Sequence, residues 1–98
     1  MIYEFESLIY LWKSESAWHF LKLNQQDSDE IKEITAPLRR GFGSVRVDVT
    51  IGKTSWRTSI FPDSSVGAYI LPVKAAVRKA EALSAGSKVT VHLETVDF

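Results

Sequence analysis

Cysteine is absent from the 98-residue chain, which excludes a disulfide, a thiolate metal site and a cysteine nucleophile, and points to a reducing compartment. Also missing is any apolar run of membrane-spanning length. The opening segment, MIYEFESL, is acidic where a secretory signal would be basic, so the expectation is a cytoplasmic protein with no membrane partner. Histidine is scarce: His19 and His92, the only two, fall on different expected strands and outside any metal-ligand spacing. There are no repeats and no low-complexity tracts. Net charge is absent too, because twelve Lys/Arg cancel twelve Asp/Glu, and neutrality is atypical of nucleic-acid binders.

What is present suits one folded domain spanning residues 1–98, with 45% apolar and 11% aromatic residues to build a modest core. The charge is neutral only as a sum. Residues 1–38 carry three Lys against seven Asp/Glu, residues 39–79 carry eight Lys/Arg against two Asp, and the remainder carries one Lys against three acids. Two readings follow: the basic middle attracts an anion, or folding lays the acidic segments beside it and cancels its field.

The middle is also the most legible stretch. Val45, Val47, Val49 and Ile51 alternate with Arg46, Asp48 and Thr50, giving one apolar and one polar face. Gly52-Lys53 fits a type II′ turn, whose first position needs positive φ. That turn sets Ile51 opposite Thr54, Val49 opposite Trp56, Val47 opposite Thr58 and Val45 opposite Ile60, with Asp48 facing Arg57 and Arg46 facing Ser59. Slipping the register by one residue would turn Arg57 onto the valine face.

Around this hairpin, Ile2 to Lys13 reads as a strand that is apolar on both parities from Leu8 onward. Burial on both sides, a bulge near Ser7 or an interface face would each account for that, the last allowing a homodimer through Leu8–Trp12. Ala17 to Leu23 returns as a second strand. Asp27 and Glu30 fit a capping box opening a helix with a stripe of Ile31, Ile34 and Leu38, ended near Ala36 by Pro37. Arg39 to Gly43 reads as a basic loop. Ala68–Leu71 is a short strand and Pro72 opens a second helix. Its expected buried stripe is Val73, Ala76, Val77, Ala80 and Leu83, and Gly86 is its expected cap. Lys88–Val96 closes the chain with Val89, Val91 and Leu93 inward. The order is β–β–α–β–β–β–α–β, a mainly β fold expected to form a small closed or half-closed six-stranded barrel capped by two helices.

The succession Ala17-Trp18-His19-Phe20, Val49-Thr50-Ile51-Gly52, Trp56-Arg57-Thr58-Ser59 and Tyr69-Ile70-Leu71-Pro72, with Lys74 and Arg78, resembles the bacterial domain-of-unknown-function family 1905 over nearly the whole chain. The resemblance implies a double-split β-barrel of the transition-state-regulator type within one chain. Some members carry a further bacteriocin-protection domain, for which this length leaves no room. Where the family often has Gly-Asp before its last strand, this chain has Gly86-Ser87, so a role for that acid does not carry over. The resemblance implies a fold and supplies no activity.

No motif asks for a cofactor or a metal. Glu30 and Glu33 read as a solvated, dipole-favoured helix face, and Gly41-Phe42-Gly43 and Gly52-Lys53-Thr54 lack the context of a phosphate loop. The candidate site is Arg57, Ser59, Tyr69, Lys74 and Arg78, a basic pocket whose guanidinium and hydroxyl donors suit a carboxylate or phosphate. Against it, Asp48 already accounts for Arg57, and Lys74 with Arg78 reads equally as a solvated helix face. Trp12, Trp18 and Trp56 are expected in the core rather than as base-stacking platforms; a nucleic-acid reading would need Trp12 or Tyr10 exposed beside basic residues. The reading that results is a small binding or interaction module for an anionic ligand. A nucleic-acid-associated regulator is the alternative, and an enzyme comes last.

Overall fold

The computed structural model describes residues 1–13, 17–38 and 43–97. Among these, the strands are β1 (Ile2–Leu11), β2 (His19–Lys22), β3 (Val45–Ile51), β4 (Thr54–Asp63), β5 (Ala68–Pro72) and β6 (Lys88–Thr95). The helices are α1 (Gln25–Thr35), which runs into a 3₁₀ turn at Ala36–Leu38, and α2 (Ala75–Ala80). The strands close into an antiparallel barrel in the order β1-β2-β5-β4-β3-β6, with β6 returning to β1. Closure removes the unpaired edges that an open sheet of this size would present.

The central hairpin takes the register read from its alternation. Ile51 lies opposite Thr54, Val49 opposite Trp56, Asp48 opposite Arg57, Arg46 opposite Ser59 and Val45 opposite Ile60. Gly52 has φ +60° while Lys53 keeps a negative φ, as a type II′ turn requires. The acid at the end of α2 clasps this turn: Glu81 Oε2 accepts from Thr54 Oγ1 at 2.6 Å and from the Lys53 amide at 3.3 Å.

Inside the barrel, period-2 alternation sorts the side chains. Tyr3, Phe5 and Ile9 of β1, the four aliphatic residues of β3, and Val89, Val91 and Leu93 of β6 are all buried in one core. The alternation in β1 is unbroken from Tyr3 to Ile9, so no bulge is needed at Ser7; its Oγ donates to the Lys22 carbonyl at 2.7 Å. Leu8 and Trp12 point outward and stay exposed, so β1 is not buried on both sides.

The helix ends differ from their expected positions. Asn24, not Asp27, caps α1, its Oδ1 accepting from the amides of Gln26 and Asp27. Both residue types cap well, and the earlier one sits where β2 releases the chain. The buried stripe of α1 is Ser28, Ile31 and Thr35, with Ile34 exposed. Only a narrow line of this helix meets the barrel, and polar Ser28 has a partner there: the Tyr69 amide donates to its Oγ at 2.7 Å.

Pro72 ends β5 opposite Phe20 rather than starting α2, whose cap residue is Lys74. Proline is tolerated at a strand terminus because little ladder remains to need its missing N–H. The shorter helix buries Val77, with Val73 just ahead of it, and leaves Ala76 and Ala80 exposed. Its end is a Schellman motif centred on Ala82 (φ +54°), not on Gly86: Leu83 N–H donates to the Arg78 carbonyl at 2.8 Å and Ala82 N–H to that of Lys79 at 3.4 Å. Of the expected basic loop from Arg39 to Gly43, residues 39–42 lie outside the described residues.

Candidate functional site

The five residues singled out by sequence fall into three places. Arg57 stands on the outer wall of the barrel, where its Nε and Nη2 donate to Asp48 Oδ1 and Oδ2 at 2.8 and 3.2 Å. That hydrogen bonding holds the Asp48 carboxyl below the usual carboxylate range and pushes the guanidinium up. Ser59 shares this face opposite Arg46, which reaches Asp97 at 3.5 Å.

Tyr69 lies inside, 2% exposed, in the core cluster. Strand alternation turns it and Leu71 inward, so it forms no edge to a surface pocket with the arginines. Its buried hydroxyl has no hydrogen-bond partner among the described residues. A buried unpaired hydroxyl is destabilising, so Tyr69→Phe is expected to leave stability unchanged or raise it by about 1 kcal/mol. Urea unfolding of the two proteins checks this, and a drop in midpoint at unchanged slope would show that the hydroxyl is satisfied.

Lys74 and Arg78 are brought together. With Trp18, His19, Phe20 and Pro72 they line a cavity of about 270 Å³ between β2 and the start of α2. Arg78 Nε donates to the Val73 carbonyl at 3.0 Å, which fixes the plane of the guanidinium and leaves its terminal nitrogens for another acceptor. Among the described residues neither cation has a carboxylate partner. His19 Nδ1 donates to the Ala17 carbonyl at 2.7 Å, leaving Nε2 as its second polar atom. His92, by contrast, lies on β6 with Nδ1 3.9 Å from Glu4.

A second cavity of about 430 Å³ adjoins the first, and Trp18 and Phe20 belong to both. Its other walls are Trp12, Phe61, Ile70 and, at one end, Asp63 and Ser64. Trp12 and Trp18 stack with ring centroids 5.5 Å apart and planes inclined by 26°. They are 42% and 62% exposed, against the expectation of core positions, and Lys13 Nζ lies 4.5 Å from the Trp12 ring. Aliphatic side chains already fill the barrel, and the outward parity of Trp12 puts its indole on the wall. Trp56 alone packs against the core. Beneath this surface Tyr10 and Phe20 meet at 6.4 Å, and burial, with the Asp63 charge, pushes the Tyr10 phenol up.

Sequence reading found the two cations here but missed Trp18, His19 and Phe20. The signal available was the run Leu8–Trp12, apolar on both parities, together with a tryptophan just ahead of its partner strand.

A family model described as Domain of unknown function (DUF1905) matches residues 5–93. The chain belongs to the DUF1905 family. The matched span runs from the first inward phenylalanine of β1 to Leu93 of β6 and so includes every residue of both cavities. The resemblance read from the Trp18, Trp56 and Tyr69 segments is thereby borne out, and the family description attaches no activity to it. No curated protein matches the chain. Among the described residues, no helix of this DUF1905 chain is long and apolar enough to cross a membrane, and no group of three or more His, Asp or Glu gathers as a metal cage.

Proposed function

We propose that this chain is a non-catalytic binding module that takes a small anion in the cavity between β2 and α2. Lys74 and Arg78 are its cationic walls. One observation carries the reading: the guanidinium of Arg78 is anchored through Nε to a backbone carbonyl, with its remaining donors and the Lys74 ammonium uncommitted to any described carboxylate. An oriented guanidinium offers paired donors that match a carboxylate or phosphate, and the adjacent ammonium adds charge. Elsewhere in the basic middle Arg57 and Arg46 have Asp48 and Asp97 beside them, whereas Lys74 and Arg78, at the start of α2, have no described carboxylate partner. The cysteine-free composition supports a cytoplasmic setting.

The test is a titration with inorganic phosphate and pyrophosphate, followed by amide chemical shifts. Replacing Lys74 and Arg78 together by alanine is expected to weaken binding at least about tenfold, the equivalent of one charge-assisted hydrogen bond. Arg57→Ala is expected to bind like the unaltered protein. Equal affinity of the double variant and the parent would remove the proposal.

The second reading, a nucleic-acid-associated regulator, draws support from the exposed Trp12–Trp18 stack beside Lys13. It requires affinity for single-stranded oligonucleotides that falls steeply with salt; a flat response removes it.

A further inference from the structure

The two adjoining cavities point to a more specific ligand, and the point rests on the anion reading above. We infer that the site takes a planar aromatic ring carrying one anionic group, the chemistry of a nucleoside monophosphate. The phosphate occupies the Lys74–Arg78 cavity and the ring occupies the neighbouring one.

The ring seat follows from the order of strands. Trp12 on the β1 side and Phe61 on β4 stand at opposite edges of the wall formed by β2 and β5, with Phe20 and Ile70 between them. The floor is therefore apolar and the two sides are aromatic. The half-exposed stack of indoles lies on the outer wall, outside the core cluster of the barrel. Such a surface gains most from a flat π-face laid against it, about 1–3 kcal/mol per stacked base.

Charge sets the direction. Lys74 and Arg78 lie beyond Trp18 at one end, and the Asp63 carboxylate lines the other end. Asp63 Oδ1 is taken by the amide and hydroxyl of Ser65, at 2.9 and 2.6 Å, which holds the carboxylate in place. An anionic tail is drawn towards Arg78 and away from Asp63. The common wall of Trp18 and Phe20 makes the two seats contiguous, and cavities of about 270 and 430 Å³ suit a phosphate with its sugar and a base, respectively.

Size and charge also favour a single nucleotide over a polymer. A strand would need a row of open cations along its path, whereas Arg46, Arg57 and Lys88 each have an acid beside them and the chain is neutral as a whole.

The three tryptophans give three indole N–H signals in a proton–nitrogen correlation spectrum, which separates the seats. Titration with adenosine monophosphate is expected to shift the Trp12 and Trp18 signals and spare Trp56. Its affinity should exceed that of adenosine and of inorganic phosphate by at least roughly tenfold. Trp18→Ala, at a surface position, should lower the affinity for adenosine monophosphate to that for phosphate, and the Lys74/Arg78 double alanine should lower it to that for adenosine. Phe61→Ala gives a second variant of the ring seat with the cations intact. If phosphate and adenosine monophosphate bind alike and move no indole, the ring seat is overturned while the anion site stands. If no probe binds, both fall. Binding of an oligonucleotide more tightly than the mononucleotide, with a steep salt dependence, overturns the assignment to a single nucleotide.

Discussion

Replacing Gly52 by alanine is expected to destabilise the protein by about 2–4 kcal/mol. Two independent effects contribute. The residue holds φ +60° at the first position of a type II′ turn, where a Cβ meets the backbone and costs about 1–2 kcal/mol. A Cβ there would also collide with the Glu81 carboxylate. Glu81 is a flexible side chain and can withdraw, but only by giving up Thr54 Oγ1 and the Lys53 amide, a further 1–2 kcal/mol or so. For a domain of this size the sum lowers the melting temperature by roughly 10 °C or more. A double-mutant cycle with Glu81→Ala separates the two effects, because the collision vanishes in that background and the backbone cost remains. Thermal unfolding of the four proteins measures it; an alanine at position 52 that leaves melting unchanged would mean that the turn is not type II′.

The second large effect is expected at Ser28. Its Oγ accepts from the Tyr69 amide at 2.7 Å at the buried seam between α1 and β5, and both residues are 2% exposed. Ser28→Ala leaves that amide without an acceptor, which costs about 1–3 kcal/mol, offset by the slightly better helix propensity of alanine. Tyr69 donates inward to α1, while its carbonyl accepts from the Leu23 amide at 3.0 Å on the way into α1. The loss is therefore expected to loosen the helix from the barrel locally. Hydrogen exchange at the Tyr69 amide should accelerate, together with a lower melting temperature. Unchanged exchange at that amide would contradict this account of the seam.

How much of this was legible beforehand depended on the range of the interaction concerned. The hairpin register follows from alternation and one glycine, both local, and the structure repeats it pair for pair. Helix starts were less legible, because Asn24 and Asp27 are both good caps and Pro72 is acceptable at a helix start or a strand end. Of the candidate site, Lys74 and Arg78 were found through their four-residue spacing. Arg57 and Tyr69 separate from them because strand alternation sends one to the outer wall and the other into the core.

The amino-acid sequence by itself determined the element order, the inward faces of β3 and β6 and the pairing of Asp48 with Arg57, since period and turn chemistry act over a few residues. Only the tertiary structure decided that the sheet closes, that Trp12 and Trp18 remain on its outer wall, and that Lys74 and Arg78 share a cavity with Trp18. A strand's pattern says which side chains lie on the same face. Whether another layer covers that face depends on contacts between residues distant in the chain, which no local period encodes.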